Sequence, residues 1–440
     1  MNKKEYKVSC LQGRRRDLDL EVPGSKSLTN RALLLAALAD GTSILEGALF
    51  SEDSRHFLKG LADLGFEVEA DEEKKTVKVM GLGGRLPEGK GRVYVGSAGT
   101  AARFLTAMLA FAGGRYELDA SEQMRRRPMK PLLDALKGLG VQVEYQGEGG
   151  CFPFVLKSEG IQGGEVSIDI GISSQFLSAL LMAGTMLPEG LRIHLTGERK
   201  SLPYVEMTAK LMERFGVRIR REELAEGGEK VWIVPGRKEL GKRGYRAGVY
   251  EIEPDLSGAC YFYAMALLLG ISVRVRRVHL DSLQGDRKFL RVLEQLGCQI
   301  EDTPEGVRLY GGNKASYPGI EINMNDFSDQ TMTMAVVAAF ADTPTRIEGV
   351  GHIRFQESDR IAAVCTELRR LGLRCEEQAD GLVIYPGEIK PGRVQTYDDH
   401  RMAMAFALIG LRVPGIVIEN PACCAKTFEN YFELLEEITA

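Results

Sequence analysis

Apolar positions fall along the chain in two patterns that alternate and recur. In the first, a short polar stretch opens a run that is apolar on nearly every face. Ser27 leads into Leu28–Leu38, Ser97-Ala98-Gly99-Thr100 into Ala101–Ala112, and Ser173-Ser174-Gln175 into Phe176–Leu187. Asp255-Leu256-Ser257 leads into Gly258–Leu269, Ser328-Asp329-Gln330 into Thr331–Ala341, and Asp398-Asp399-His400-Arg401 into Met402–Leu411. Polar caps before long apolar runs predict helices, and a helix without a polar face belongs in the middle of a domain.

In the second pattern, leucines at helical spacing end in glycine and give way to a short alternating stretch. It reads Leu58-x-x-Leu61-x-x-Leu64-Gly65-Phe66-x-Val68 and returns as Leu133-x-x-Leu136-x-x-Leu139-Gly140-Val141-x-Val143. Further copies are Leu211-x-x-x-Phe215-Gly216-Val217-x-Ile219, Leu290-x-x-Leu293-x-x-Leu296-Gly297-Cys298-x-Ile300 and Leu368-x-x-Leu371-Gly372-Leu373-x-Cys375. Each predicts an amphipathic helix with a left-handed glycine cap, followed by a strand. Glycines 65, 140, 216, 297 and 372 lie 75, 76, 81 and 75 residues apart.

Six repeats in 440 residues are about 73 residues each, too long for a thin solenoid, and three of them make a core of ordinary domain size. The longest gap holds Gly236-Arg237-Lys238-Glu239-Leu240-Gly241-Lys242-Arg243-Gly244-Tyr245, which reads as a linker. The sixth repeat ends in the predicted helix Asn430–Ile438 with no strand behind it, while Tyr6–Leu11 reads as a strand without a repeat. The economical expectation is that the N-terminal strand completes the sixth repeat. The first domain would be residues 24–244, and the second residues 1–23 and 245–440.

Composition narrows the class. A chain that is 44% hydrophobic and 27% charged has the make-up of a globular protein, and a net charge of −4 argues against a nucleic-acid or membrane-surface binder. Met1-Asn2-Lys3-Lys4-Glu5 is followed by no apolar run, so no signal peptide is expected. The most apolar stretch, Ala259–Val273, is broken by Gly270 and too short to span a bilayer. Eight cysteines lack Cys-x-x-Cys spacing and read as reduced thiols in a cytoplasmic protein.

The candidate chemistry sits at the helix starts. In Val22-Pro23-Gly24-Ser25-Lys26-Ser27-Leu28-Thr29-Asn30-Arg31, a Pro-Gly turn meets capping serines, with Lys26 and Arg31 in the first turns of a buried helix. Cations there oppose the helix dipole unless an anion joins them, so the stretch predicts an anion site. Equivalent repeats point their helix starts at equivalent places. Their polar residues would then form one constellation between the domains: Lys26, Ser27, Arg31, Thr100, Arg103 and Arg127, with Ser173, Ser174 and Gln175. The second domain would add Asp329, Glu357, Asp359, Arg360, His400, Arg401 and Lys426. Dominant cations with a few carboxylates suit a substrate carrying phosphate and carboxylate, with carboxylates available for proton transfer. Other sites fail on spacing. Gly24-Ser25-Lys26-Ser27 is no P-loop, Gly81-Leu82-Gly83-Gly84-Arg85-Leu86 lacks the third glycine of a dinucleotide fingerprint and reads as a turn, and Asp399-His400 has no adjacent serine nucleophile. Cys151 reads as the start of a buried strand.

Taken in order, a further set of motifs carries a resemblance. They are Pro23-Gly24-Ser25-Lys26-Ser27 with Asn30-Arg31, Ala98-Gly99-Thr100-Ala101-x-Arg103, Arg127-Pro128-Met129, Ser173-Ser174-Gln175-Phe176 and Ser201-x-Pro203-Tyr204. Glu357-Ser358-Asp359-Arg360, Asp399-His400-Arg401-Met402-Ala403-Met404 and Ala425-Lys426-Thr427-Phe428 complete it. Over its whole length the chain closely resembles the 5-enolpyruvylshikimate 3-phosphate (EPSP) synthase family. The resemblance implies an α/β fold of two similar domains, each of three βαβαββ repeats around buried helices, an inside-out α/β barrel with the active site in the cleft between domains.

It also implies transfer of the enolpyruvyl group of phosphoenolpyruvate to the 5-hydroxyl of shikimate 3-phosphate, on the route to chorismate and the aromatic amino acids, by a cytoplasmic monomer without metal or organic cofactor. By motif match, Lys26, Ser27, Arg31, Ser173, Ser174, Gln175, Ser201, Asp329 and Gln356 bind shikimate 3-phosphate. Lys26, Gly99, Arg127, Gln175, Arg360, Arg401 and Lys426 bind phosphoenolpyruvate. Asp329 is the base, Glu357 protonates the methylene carbon, and Lys26 joins them as a catalytic residue. Glyphosate is expected in the phosphoenolpyruvate site, where Gly99 leaves room; Phe104 stands where many sensitive members have Pro. Two further departures are Gln356, where the family usually has Lys, and His352, where Asn is common. Two rival readings are a UDP-N-acetylglucosamine enolpyruvyl transferase of the same fold and a non-catalytic anion-binding repeat protein. The loop Asp119–Arg127 lacks the cysteine of the first, and Asp329 and Glu357 among the cations speak against the second.

Overall fold

A computed structural model describes residues 4–11, 17–197, 202–223, 230–241, 244–312 and 316–440. The chain forms two compact units, Gly24–Ile252 and a second made of Met1–Pro23 with Glu253–Ala440. Both are mixed α/β and built from one repeated motif.

The second repeat displays it most plainly. Strands Lys90–Tyr94 and Gly114–Asp119 pair in parallel, and the helix Gly99–Ala112 between them in sequence is buried along almost its whole length. The amphipathic helix Lys130–Gly138 follows, burying only Leu132, Leu133, Ala135 and Leu136. Strands Gln142–Tyr145 and Phe154–Ser158 then form a hairpin, and Phe154–Ser158 lies antiparallel beside Gly114–Asp119. Spatial order is therefore first, second, fourth, third. Four more four-stranded sheets repeat that order, and a three-stranded sheet belongs to the sixth repeat. Helices without a polar face are central because each fully buried leucine, such as Leu33, Leu34 or Leu35, stabilises the fold by roughly 1.5–3 kcal/mol. Among the described residues no helix is long and apolar enough to cross a membrane.

The first repeat of each unit takes its first strand from a distant part of the chain. Val249–Glu251 pairs in parallel with Asp40–Glu46, and Leu18–Leu20 with Ser272–Val275. The sixth sheet consists of Gly392–Val394, Ile416–Glu419 and, antiparallel to the latter, Glu5–Lys7. The N-terminal strand is thus shorter than Tyr6–Leu11 and fills the fourth-strand position.

The linker reading of residues 236–245 is corrected. Gly236 caps the short helix Arg237–Leu240, whose first amides donate to Leu187 O and Pro188 O. Tyr245 is buried, with its hydroxyl on Met182 O at 2.9 Å. Residues 245–252 therefore belong with the first unit, because backbone pairing to Asp40–Glu46 and burial of Tyr245 outweigh a local glycine-and-charge signal. Two smaller readings shift as well. Gly81 lies inside the strand Thr76–Leu82, and Cys151 precedes its strand, which starts at Phe154.

Candidate active site

In the unit Gly24–Ile252 the opening stretch begins a helix at Lys26, and the cap is Ser25 rather than Ser27: Ser25 Oγ accepts Leu28 N at 3.4 Å. Gly24 is required by close packing, since a Cβ there would lie 1.9 Å from Gly47 O. The other expected caps also move. The helix expected from Ala101 starts at Gly99, with no side-chain cap, and the helix expected over Phe176–Leu187 runs Gln175–Ala183 before a tighter turn, Gly184–Met186.

Helix starts are tied together by side chains. Asn30 Nδ2 donates to Thr100 Oγ1 at 2.6 Å. Arg31 Nε donates to Thr208 Oγ1 at 2.7 Å, Nη1 to Ser27 O at 2.8 Å and Nη2 to Tyr204 O at 3.3 Å. Arg31 as a residue is 1% exposed, and burial pulls its pKa down to about 10, which leaves it a cation at neutral pH. The motif implies a substrate contact for Arg31, and the structure shows its guanidinium also joining Thr208, Ser27 and Tyr204. Arg103 acts similarly, donating to Gly99 O and Pro128 O, each at 3.2 Å. That fixes the turn carrying Arg127, and a Cβ built on Gly99 would lie 3.1 and 3.2 Å from the Arg127 Nη atoms. Lys26 Nζ lies 3.4 Å from the buried carboxylate of Asp53, a partner the sequence reading missed although Ser51-Glu52-Asp53 has the look of a helix opening. Gln175 Oε1 is buried without a hydrogen-bond partner, and Ser173 Oγ accepts Gln175 N at 3.3 Å. Ser201 lies outside the described residues.

In the unit containing both chain ends, one arginine organises the cluster. Arg360 opens the helix Arg360–Arg370 and is 1% exposed. Its Nε donates to Asp399 Oδ2 at 2.8 Å, Nη1 to Asp329 Oδ1 at 3.1 Å, and Nη2 to Glu357 Oε2 at 2.8 Å. Arg401 Nη2 donates to Asp329 Oδ2 at 2.6 Å, and Lys426 Nζ lies 3.1 Å from Glu357 Oε1. Burial opposes charge on Arg360, but Asp399, Glu357 and Asp329 outweigh it and raise its pKa. Three cations and three carboxylates thus share one charge-assisted network.

Asp329 sits in the tight turn Asn325–Gln330, ahead of a helix that runs Thr331–Ala338 rather than to Ala341. His352 supports this turn, with Nε2 2.8 Å from Ser328 Oγ. Asp359 is corrected from constellation member to cap: it accepts Ala362 N and is held by Arg354 Nη1 at 2.9 and 3.0 Å. His400 is buried at the start of the helix His400–Gly410, its Nδ1 3.8 Å from Asp399 Oδ1. Asp399 was quoted in the motif yet missed as a site member, because a helix cap and an ion-pair partner look alike in sequence.

Known proteins resemble this chain over nearly its whole length. The family model described as EPSP synthase (3-phosphoshikimate 1-carboxyvinyltransferase) matches residues 12–435. A 3-phosphoshikimate 1-carboxyvinyltransferase from Nostoc punctiforme is 46% identical over 94% of this chain and 95% of its own. The structure of EPSP synthase from Acinetobacter baumannii has a TM-score of 0.79 at 24% identity, covering 99% of this chain and 98% of that one. The enolpyruvyl transferase NikO from Streptomyces tendae has a TM-score of 0.71 at 18% identity, covering 98% of this chain and 97% of that one, and shares the fold. A family match over residues 12–435 and 46% identity over 94% of the chain assign it to the EPSP synthase family.

Proposed function

We propose that the chain transfers the enolpyruvyl group of phosphoenolpyruvate to the 5-hydroxyl of shikimate 3-phosphate and releases phosphate, as a monomeric cytoplasmic enzyme of the route to chorismate. The observation that carries the reading is the arginine that holds two proton-transfer candidates at once, Asp329 on one Nη and Glu357 on the other. Transfer requires that the attacking hydroxyl lose a proton while the methylene carbon of phosphoenolpyruvate gains one; loss of phosphate and of a proton from that carbon then restores the double bond. An acid and a base must therefore act on one bound pair of substrates. Asp329 takes the hydroxyl proton, and Glu357, beside Lys426, serves the methylene carbon.

Arg360, Arg401 and Lys426 receive the phosphate and carboxylate of phosphoenolpyruvate, exchanging part of their carboxylate pairing for the ligand's. Lys26, Arg127, Gly99 and Gln175 of the other unit complete that set, and Lys26 serves the chemistry as well. Ser27, Ser173, Ser174, Gln175, Ser201, Asp329 and Gln356 bind shikimate 3-phosphate, with Arg31 adding its charge from behind Ser27.

The test is phosphate release from phosphoenolpyruvate with shikimate 3-phosphate as sole co-substrate, run beside UDP-N-acetylglucosamine. Release with the first and none with the second is expected. Release with the second alone would transfer the chain to the sister activity, and release with neither would remove the enzymatic reading.

A further inference from the structure

Asp286 is a buried carboxylate that the mechanism above does not use. It precedes the amphipathic helix Arg287–Gln295, but its side chain makes no cap bond to that helix. Its Oδ2 accepts Ser257 Oγ at 2.9 Å and its Oδ1 accepts Gln330 Nε2 at 3.0 Å. Gln330 is the residue after Asp329. Its Nε2 also lies 3.4 Å from Ser257 O, and its Oε1 accepts Thr333 Oγ1 at 3.1 Å. Gln330 is wholly buried, so this tether fixes the end of the turn Asn325–Gln330, whose course is broken at Phe327 with φ −146° and ψ 43°.

The stretch before Asp286 is itself anchored. Gln284 Oε1 accepts Leu256 N at 3.0 Å, and its Nε2 donates to Pro254 O at 2.8 Å. Both hydrogen bonds to Asp286 come from neutral donors, and a carboxylate so placed is costly to bury. An internal comparison shows what such a group does elsewhere. In the first repeat of the other unit, Asp53 at the start of the amphipathic helix holds Lys26 at the start of the buried helix. Asp286 stands at the start of the corresponding helix in the first repeat of its own unit, as the residue before it rather than the second within it, and holds Ser257.

We propose that Asp286 is a positioning residue for enolpyruvyl transfer, fixing through Gln330 the turn that carries Asp329 and sharing that residue's electrostatic surroundings. The proposal rests on the reading of Asp329 as the base. Burial pushes the Asp286 carboxyl up, the charge of Asp329 pushes it further, and Arg401 pulls it down. Two carboxyls that sense each other compete for protons. Around the pair stand Arg360 and Arg401, with Asp255, Cys260 and Tyr261 from the start of the helix Leu256–Leu269. Lys288 and Asp326 pair on the outer side, between the helix after Asp286 and the turn before Asp329.

The experiment measures kcat and both KM values for wild type, Asp286→Ala and Asp286→Asn, with folding checked by circular dichroism. The expected result is a kcat about tenfold lower in Asp286→Ala with both KM values within about twofold, and a smaller fall in Asp286→Asn, whose amide oxygen still accepts one of the two hydrogen bonds. A folded Asp286→Ala with kcat within about twofold of wild type, or with KM values that rise as kcat falls, overturns the proposal. If Asp286→Ala does not fold, Ser257→Ala takes its place. It deletes one hydrogen bond to the carboxylate, kcat should fall about threefold at unchanged KM values, and an unchanged kcat overturns the proposal equally. Wild type that releases no phosphate from phosphoenolpyruvate and shikimate 3-phosphate overturns the assigned reaction itself, an outcome distinct from an active enzyme whose variants turn over normally.

Discussion

The two units hold their buried arginines in opposite ways. In Gly24–Ile252, Arg31 and Arg103 donate to neutral oxygens of Thr208, Ser27, Tyr204, Gly99 and Pro128. In the unit with both chain ends, Arg360 and Arg401 donate to the carboxylates of Asp399, Glu357 and Asp329. One repeated fold, with buried arginines in the first two turns of its helices, thus gives two electrostatic states. One unit presents fixed positive charge to whatever anion arrives. The other holds its cations against carboxylates, so on the proposed function an arriving anion would displace those carboxylates and free them to act.

The sharpest break of that contrast is Asp329→Ala. It removes the proposed base, and kcat is expected to fall by roughly two to four orders of magnitude with the fold intact by circular dichroism. Near-normal turnover would take Asp329 out of the mechanism.

Stability should separate the units next. Asp399→Ala leaves Arg360 buried beside a missing carboxylate, and urea denaturation should show a loss of about 3–5 kcal/mol. Thr208→Val removes a neutral acceptor from Arg31 while keeping its shape, and the loss should be smaller, about 1–3 kcal/mol. Equal losses would mean that charge pairing contributes nothing beyond ordinary hydrogen bonding at these sites.

Gly99→Ala probes the unit with fixed positive charge. The added methyl would lie 3.0 Å from Arg103 Nη1 and 3.1–3.2 Å from the Arg127 Nη atoms, so the guanidiniums must give way. Glyphosate inhibition of wild type should be competitive with phosphoenolpyruvate, and the variant's inhibition constant should rise about tenfold or more while the KM for phosphoenolpyruvate rises less. Wild type indifferent to millimolar glyphosate would place the limiting obstacle elsewhere, with Phe104 the first residue to test.

The smallest effect concerns Gln356. Arg354, the nearest cation in sequence, is held by Asp359 and by Glu377 at 2.8 Å, so it is committed to structure. Gln356→Lys should lower the KM for shikimate 3-phosphate by about three- to tenfold through a charge-assisted contact and leave that for phosphoenolpyruvate nearly unchanged. Equal changes in both constants would contradict the assignment of Gln356 to shikimate 3-phosphate.

Much of the fold was legible because its signals are local. The buried helices are written as apolar runs, and the amphipathic ones as leucines at helical spacing closed by Gly65, Gly140, Gly216, Gly297 and Gly372, all five in the left-handed region. Boundaries were less legible. Ser25, not Ser27, caps its helix, because either serine can do so and only the approach of Gly24 to Gly47 O decides where the turn ends. Within the candidate site, residue types were readable and partnerships were not. Asp359 and Asp399 both cap a helix with an arginine in its first turn, yet the first is held by Arg354, while the second also holds Arg360.

The chain by itself determined that there are six repeats, which helices are central, and that cations crowd the helix starts, since hydrophobic period, caps and turn residues act within one or two turns of backbone. Tertiary structure alone decided that Leu18–Leu20 pairs beside Ser272–Val275 and Val249–Glu251 beside Asp40–Glu46. A sheet edge is satisfied by any strand whose hydrogen-bonding groups reach it, and nothing in three residues states which edge that is. It also decided that Arg401 meets Asp329 from 72 positions away. Charges attract without regard to sequence distance, so only the packing of the helices that carry them selects which carboxylate each arginine finds.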